Sequence, residues 1–371
     1  MRRVAALLSL ALALALAMSQ AARAATCDST GGWDRWHTFR AEVISPEGRV
    51  IDFSDERRIT TSEGQSYALF FALVNNDRQL FHRILRWTEK NLARGDLTAN
   101  LPAWLWGRQA SGKWGVLDAN SASDSDLWIA YALIEAGRLW RQHSYSVLGN
   151  LLLRRIAREE VVKLPVLGPM LLPGKHGFAH EGYWKLNPSY LPPQLIARAA
   201  KALPAGPWRA MVRSTEQLLV DSAPRGLAPD WISWTGKQFE ARGDDERIGS
   251  YDAIRVYLWV GMLHDDAPGA RRLKQHFRSI ERHVGLEGRV DEEIDISRAV
   301  AQGRGPAGFS AALLPLLAGS AHEAGLRAAV ERSGKLGYYG QVLALFGSGW
   351  DEGRYRFGAD GTLMPRWEKC R

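Results

Sequence analysis

The chain has 371 residues, of which 46% are hydrophobic and 24% charged, and its formal net charge is +8. Arginines spread along the whole sequence carry that charge, so no block of like charge indicates a nucleic-acid-binding surface. The densest basic stretch, residues 271–278, has apolar residues at helical spacing and is interpreted as the solvated face of a helix.

The N-terminus has the pattern of an export signal. Arg2 and Arg3 precede an apolar run over residues 4–18, and a small-residue stretch ends at Ala24. The run is shorter than the roughly 20 residues that span a bilayer, which favours a signal peptide over a membrane anchor. We therefore predict a signal peptide over residues 1–24, no membrane anchor after its cleavage, and a single domain over residues 25–371.

The chain contains two cysteines, Cys27 and Cys370. Disulfides persist in the oxidising compartments that exported proteins reach. Neither cysteine has the neighbours of a metal site or of a redox pair. The sequence leaves open whether the two form a bridge that ties the ends of the domain together.

Hydrophobic periodicity predicts helix after helix and almost no strand. No linker rich in Ser, Gly or Pro divides the chain, which favours one large repetitive domain. The twelve predicted helices cover residues 33–42, 63–75, 77–92, 124–141, 144–160, 191–203, 207–221, 250–263, 266–283, 307–318, 321–334 and 337–348.

These helices form a repeat. Five of them, which start near residues 63, 124, 191, 250 and 307, are rich in small and apolar residues, and each precedes a more charged amphipathic partner. The starts recur about every 60 residues, as in folds that stack a repeated hairpin. With the last helix closing against the first, they predict an all-α fold of six helical hairpins, an (α/α)6 barrel; an open solenoid would need a capped end. The inner helices then all begin at one face.

Acidic residues recur at these inner-helix starts. Glu63 follows Thr60 in a Thr-x-x-Glu pattern, which also fits a capping box in which Glu63 only satisfies a backbone N–H. Asp124 and Asp126 open the second inner helix, where one carboxylate can face the barrel mouth while the other caps the helix. Each position, taken alone, has an adequate structural explanation.

The third and fourth inner-helix starts add further polar groups. Tyr190 supplies a hydroxyl beside the prolines of the third start. Asp252 and Arg255 are three residues apart in the fourth, a spacing that also fits a surface ion pair. Carboxyl groups that converge at one mouth suit glycosidic bond cleavage, in which one protonates the leaving oxygen and another activates water. Flat tryptophan rings also suit the apolar faces of sugars.

Several segments resemble glycoside hydrolase family 8, in particular its branch encoded with bacterial cellulose synthase. The most specific is Ala122-Ser123-Asp124-Ser125-Asp126, in which Ser125 replaces the usual Ala or Gly. The similarity runs over nearly the whole chain after the signal peptide. The other segments that carry it are residues 48–52, 60–67, 101–107, 187–193, 249–259 and 308–312.

The resemblance implies roles for individual residues in an inverting endo-β-1,4-glucanase of the periplasm. Glu63 would be the general acid, Asp252 the general base, and Asp124 the carboxylate that holds and distorts the sugar. Tyr190 would position the water and Arg255 would orient Asp252. The resemblance also implies an (α/α)6 barrel and a cleft in which tryptophans stack on glucose units; the candidates for substrate binding are Trp104, Trp106, Trp128, Trp184 and Trp231.

The resemblance implies a β-1,4-glucan substrate, an association with the cellulose synthase complex, and neither cofactor nor metal. His176, His180 and Glu181 are interpreted as loop residues rather than as a zinc site. Two alternatives stay open at this point. The same scaffold could act on xylan or chitosan, or the protein could hold glucan without cutting it, as a component of a polysaccharide export system.

Overall fold

The computed structural model describes residues 32–370 of the chain. The predicted signal peptide over residues 1–24 and Cys27 lie outside this range, so cleavage after Ala24 and a Cys27–Cys370 bridge stay predictions. Within the described range, no helix combines the length and the apolar character needed to cross a membrane.

Twelve α-helices lie within residues 32–370, which confirms the predicted number. Even-numbered helices form an inner ring and odd-numbered helices an outer one. The helices are α1 (Asp34–Val43), α2 (Ser62–Val74), α3 (Arg78–Leu92), α4 (Ser123–Trp140), α5 (His143–Glu159), α6 (Pro193–Ala202), α7 (Trp208–Asp221), α8 (Ala253–Gly261), α9 (Ala270–Phe277), α10 (Ala307–Leu313), α11 (Glu323–Arg332) and α12 (Tyr338–Asp351).

Burial separates the two rings. Every residue of α2 from Gly64 to Val74 is buried, and so is every residue of α8. Outer helices bury one stripe only; in α9 this stripe includes Leu273 and Phe277, while Arg271 and Arg272 are exposed. The basic stretch 271–278 is therefore the solvated helix face that its periodicity predicted.

Aromatic side chains fill the centre of the inner ring and join its last helix, α12, to its first, α2. Phe346 of α12 lies with its ring centroid 4.6 Å from that of Phe71 and 5.0 Å from that of Tyr67, both on α2. The outer helix of this last hairpin is α1, which packs against α12. The chain thus begins and ends in the same hairpin, and the fold is the predicted (α/α)6 barrel.

The expectation of almost no strand was wrong. The strands have two to five residues, too few for a periodic pattern to reveal, and they form antiparallel sheets in the connections between helices. They are β1 (Thr60–Thr61), β2 (Leu105–Arg108), β3 (Trp114–Asp118), β4 (Val161–Leu164), β5 (Gly168–Leu171), β6 (Ala179–His180), β7 (Tyr183–Leu186), β8 (Ile232–Trp234), β9 (Phe239–Glu240), β10 (Ile248–Gly249), β11 (Glu293–Asp295), β12 (Val300–Gln302), β13 (Tyr355–Phe357) and β14 (Leu363–Pro365).

Several predicted helices are shorter in the structure. A 3₁₀ turn over Pro188–Tyr190 precedes α6, which begins only at Pro193. Helix α9 ends at Phe277 and continues as a 3₁₀ helix over Arg278–His283. Helix α10 ends at Leu313, because Pro315 has no N–H group to continue the helical hydrogen bonds.

Candidate active site

Glu63 lies in the first turn of α2, and its carboxylate does not cap the helix. The cap is Thr61, whose Oγ1 accepts a hydrogen bond from the Gly64 N–H at 3.0 Å. Thr60, the partner in the capping-box alternative, donates its hydroxyl to the Val50 carbonyl instead. The Glu63 carboxylate instead accepts a hydrogen bond from Arg255 Nη1. The side chain is therefore free of a capping role and turned towards another inner helix.

Arg255 gathers the carboxylates. It lies in α8 with 4% of its surface exposed, so its pairing with Asp252 is partly buried and is not the surface ion pair that the spacing also allowed. Nη1 binds Glu63 and lies 3.7 Å from Asp124 Oδ2, while Nη2 binds Asp252. Within residues 32–370 no other basic side chain forms an ion pair with these three carboxylates.

The two aspartates at the start of α4 face different partners. Asp124 is 3% exposed and faces Arg255, whereas Asp126 is fully buried and faces Glu160 rather than capping the helix. Between them, Ser125 lies with its Oγ 2.6 Å from Ser62 Oγ, the residue before Glu63. This hydroxyl pair fixes the start of α4 against the start of α2.

Burial and mutual repulsion favour protonation of this cluster. Burial raises the pKa of Glu63 above its usual value; the Arg255 guanidinium opposes this effect and the negative charge of Asp252 adds to it. Burial, followed by the charge of Glu63, raises the pKa of Asp124 to about 7, against the opposing effect of Arg255. One guanidinium cannot balance three ionised carboxylates, so a proton is retained to higher pH than on a free carboxyl group.

Tyr190 and Trp231 stand beside the carboxylates. The Tyr190 ring centroid lies 5.7 Å from the Arg255 guanidinium carbon and 6.1 Å from the Trp231 ring. Asn187 holds the turn before Tyr190 by accepting the Ser189 N–H at 3.0 Å. Both rings are half-buried.

Among the other tryptophans, Trp104 is tied to the start of α2, where its carbonyl accepts the Ser62 N–H at 3.0 Å, and Trp106 pairs with Thr60 across β1 and β2. Trp106 stacks on Trp114 at 5.4 Å, and its ring meets that of Trp87, on outer helix α3, at 5.3 Å. Trp184 pairs with Trp234 across β7 and β8. The described contacts do not bring Trp106 or Trp184 to the carboxylates.

The prediction that Trp128 binds substrate was wrong. Its side chain is fully buried in the barrel centre, with ring centroids 5.3 Å from both Trp259 and Phe346. Trp128 follows Asp124 by four residues, so it lies on the same helix face one turn deeper. At that depth the inner ring is filled by aromatic packing, and a sugar has no access.

Asp230 is a site residue that the sequence analysis missed. Its Oδ1 accepts hydrogen bonds from the N–H groups of Ser250, Asp252 and Ala253, at 2.8, 3.0 and 2.7 Å. Burial, with the charge of Asp252 second, raises its pKa to about 6. The residue caps α8 from another loop, 22 positions from Asp252, and a capping pattern that is local in sequence gives no signal for such a contact.

Residues 32–370 contain no group of three or more His, Cys, Asp or Glu side chains arranged to hold a metal ion. The three carboxylates of the cluster are instead held by a guanidinium and by hydrogen bonds from protein groups. The arrangement suits proton transfer to and from a bound substrate.

Comparison with known proteins decides the family. The profile of "Glycosyl hydrolases family 8" matches residues 6–353. The chain is 48% identical to an endoglucanase of Escherichia coli (strain K12) over 342 residues, which cover 91% of this chain and 92% of that protein. It is 50% identical to an endoglucanase of Xanthomonas axonopodis pv. citri (strain 306) over 355 residues, 94% and 92% of the two chains.

The solved structure of an endo-1,4-D-glucanase from Vibrio fischeri ES114 superposes with a TM-score of 0.85. The two sequences are 46% identical, and the match covers 91% of this chain and 99% of that one. The chain belongs to glycosyl hydrolase family 8. In this family 8 hydrolase, Glu63, Asp124 and Asp252 come from three different inner helices or their starts and meet at one guanidinium.

Proposed function

We propose that the protein is an endo-β-1,4-glucanase that cleaves cellulose-like chains with inversion of configuration at the anomeric carbon. The observation that carries the proposal is the convergence of Glu63, Asp124 and Asp252 on Arg255 at the mouth of the barrel. Family 8 proteins of similar sequence bear the names endoglucanase and endo-1,4-D-glucanase, which supports a β-1,4-glucan as substrate.

Glu63 donates its proton to the glycosidic oxygen as the bond to the anomeric carbon breaks. Asp252 takes a proton from a water molecule, whose oxygen attacks the anomeric carbon from the opposite face. The raised pKa of Glu63 supports its role as the acid, because a general acid must be protonated at the working pH. Asp124, Tyr190 and Trp231 hold the sugar between these two groups.

Two rival functions are weighed against this one. The same acid and base could cleave xylan or chitosan, because the contacts along the cleft select the sugar. A binding protein that holds glucan without cutting it has no use for raised pKa values at Glu63 and Asp124, because holding carboxyl groups in such surroundings costs stability. The cluster therefore favours an enzyme.

Proton NMR of a cello-oligosaccharide digest tests the proposal. We expect α-anomeric reducing ends to appear first with the wild-type protein. Glu63→Gln and Asp252→Asn each remove one proton-transfer group without changing the side-chain shape, and each should lower the turnover rate at least 10²-fold. Glu159→Gln is the matched control, because Glu159 pairs with Lys175 and Arg155 away from the cluster.

The outcomes separate the alternatives. First appearance of β-anomers would contradict inversion and the assignment of Asp252 as base. Cleavage of xylan or chitosan but not of cello-oligosaccharide would replace the substrate. Tight binding of glucan by the wild-type protein without any product would favour the binding protein.

The proposal includes a cellular setting. Export through the signal peptide of residues 1–24 places the enzyme in the periplasm, where it acts on glucan made by a cellulose synthase complex. N-terminal sequencing of protein from a periplasmic fraction should begin at Ala25. Retention of the protein in the cytoplasm, or with residues 1–24 attached, would contradict this part of the proposal.

A further inference from the structure

A second pair of acidic side chains lies behind Asp124 and takes no part in the proposed chemistry. Asp126, in the first turn of α4, and Glu160, which follows the last residue of α5, contact each other through their carboxyl groups. Asp126 is fully buried and Glu160 is 1% exposed. The contact joins the start of an inner helix to the end of its outer partner.

No cation compensates this pair. Within residues 32–370, neither carboxyl group forms an ion pair, and neither Asp126 oxygen receives a hydrogen bond from an N–H or hydroxyl group of the protein. Glu160 accepts one hydrogen bond, from Ser121 Oγ at 2.5 Å. The adjacent Glu159 takes the nearby cations, with Arg155 at 2.5 Å, Lys175 at 2.8 Å and Arg158 at 3.3 Å.

Two buried carboxylates in contact without a cation would repel each other strongly, so such a pair holds at least one proton. Among the described residues, the charged groups outside the pair that affect it most are Asp124 and Glu159, and both are acidic. Burial raises the pKa of Glu160 to about 8, and burial, with the charge of Glu160 second, raises the pKa of Asp126. The proton is therefore retained well into the neutral range.

The pair is connected to the catalytic groups through the start of α4. Ser121 Oγ, which donates to Glu160, also accepts the Lys175 N–H at 3.2 Å. Asp124 lies two residues before Asp126, and Ser125 meets the hydroxyl of Ser62 beside Glu63. A displacement of the first turn of α4 would therefore move Asp124 and disturb the Glu63 segment.

We propose that Asp126 and Glu160 share a proton that holds the start of α4 in place, and that loss of this proton at alkaline pH displaces Asp124 and ends activity. Asp126 and Glu160 are thus positioning residues that act through Asp124. The inference rests on the proposed role of Asp124 in catalysis. The shared proton itself does not depend on that role.

Glu160→Gln tests the proposal, because its amide N–H donates to Asp126 at every pH. The measurement is the ratio of variant to wild-type kcat/KM on a soluble cello-oligosaccharide between pH 6 and pH 10. Loss of the Glu63 proton affects both proteins and cancels in the ratio. We expect a ratio within a few-fold of one at pH 6 that rises on the order of tenfold per pH unit above about pH 8. Glu216→Gln, the matched control, should give a flat ratio, because Glu216 pairs with Arg272 and is not one of the acidic groups that face the pair.

Melting temperature gives a readout that needs no activity. We expect the Tm of the wild-type protein to fall relative to that of Glu160→Gln as pH rises towards 8 and above. The wild-type Tm should fall in the same way relative to the Tm of Asp126→Asn. A flat activity ratio with this Tm pattern would overturn the positioning role but leave the shared proton. Parallel Tm profiles for wild type and both variants, or failure of both variants to fold at pH 6, would overturn the pair itself.

Discussion

At the scale of single residues, Arg255 determines how the acidic groups coexist. Each terminal nitrogen of its guanidinium binds a different carboxylate, Glu63 or Asp252, and Nη2 also donates to Ser189 Oγ at 3.1 Å. The planar fork of arginine allows these contacts at once, whereas the ammonium group of lysine is a single point of charge. Glu63 and Asp252 are therefore held near each other but bound to different nitrogens.

Arg255→Lys tests this arrangement. The variant keeps the positive charge but cannot bind Glu63 and Asp252 in the same geometry, so we expect kcat/KM on cello-oligosaccharide to fall on the order of 10²-fold. Arg138→Lys is the control, because Arg138 binds Glu135 and Glu368 away from the cluster. Near wild-type activity of Arg255→Lys would show that charge alone suffices.

Asp230 acts on the same helix through the backbone. Loss of its three hydrogen bonds in Asp230→Ala frees the N–H of Asp252, so we expect a loss of about 2 kcal/mol in the free energy of unfolding and a fall in kcat of more than tenfold. Urea denaturation and steady-state kinetics measure the two effects.

The matched control for Asp230 is Asp77, whose Oδ1 caps outer helix α3 by accepting the Leu80 N–H at 2.9 Å. Asp77→Ala should cost similar stability and leave kcat within a factor of two. Equal losses of kcat in both variants would mean that Asp230 matters only for stability. Asp230→Asn keeps an acceptor oxygen, so its free energy of unfolding and its kcat should lie between those of wild type and Asp230→Ala.

At the scale of helices, the inner ring depends on close approach of backbones. A Cβ atom added to Gly347 of α12 would lie 1.8 Å from the Ala311 carbonyl oxygen of α10. Real side chains do not reach that distance, so any residue other than glycine forces the two helices apart. The small residues that mark the inner helices in the sequence have this packing role.

Gly347→Ala should therefore reduce the free energy of unfolding by about 3 kcal/mol, the upper end of the cost of overpacking. Gly334→Ala is the control, since a Cβ atom there meets nothing within 4 Å, and its effect should stay within about 0.5 kcal/mol. Chemical denaturation measures both values. A cost below 1 kcal/mol for Gly347→Ala would mean that α10 and α12 can separate without loss.

At the scale of the whole molecule, the folded barrel keeps several buried carboxyl groups protonated to higher pH than the unfolded chain does. The pKa of Asp230 is raised to about 6, that of Asp124 to about 7 and that of Glu160 to about 8, in each case chiefly by burial. In the unfolded chain such groups titrate near pH 4. Between about pH 4 and these raised pKa values, the folded state binds more protons than the unfolded state. The stabilisation that these protons give is fully present below about pH 4 and is lost as pH rises through the raised pKa values.

We therefore expect the urea midpoint of unfolding to be higher at pH 5 than at pH 8. The net charge of +8 acts in the opposite direction, because further protonation increases repulsion between positive groups. A midpoint that rises between pH 5 and pH 8 would mean that the buried carboxyl groups are ionised in the folded protein.

The sequence alone determined the features that repeat or that lie close together along the chain. Small and apolar residues at a period of about 60 residues were enough to predict twelve helices and the closed barrel, because each hairpin must bury its inner helix against the next. The same period placed Glu63, Asp124 and Asp252 at helix starts on one face. The resemblance to glycoside hydrolase family 8, now confirmed, suggested which acids to choose.

Tertiary structure alone decided contacts between residues that are distant in sequence. Glu63 lies 192 positions from Arg255. The residues around Glu63 therefore could not show whether its carboxylate caps the helix or binds that guanidinium. Trp128 is buried because the barrel centre is filled by rings from α2, α8 and α12, which its own helix does not reveal. Asp230 and the Asp126–Glu160 pair stayed hidden for the same reason: burial and hydrogen bonding across elements exist only once the ring has closed.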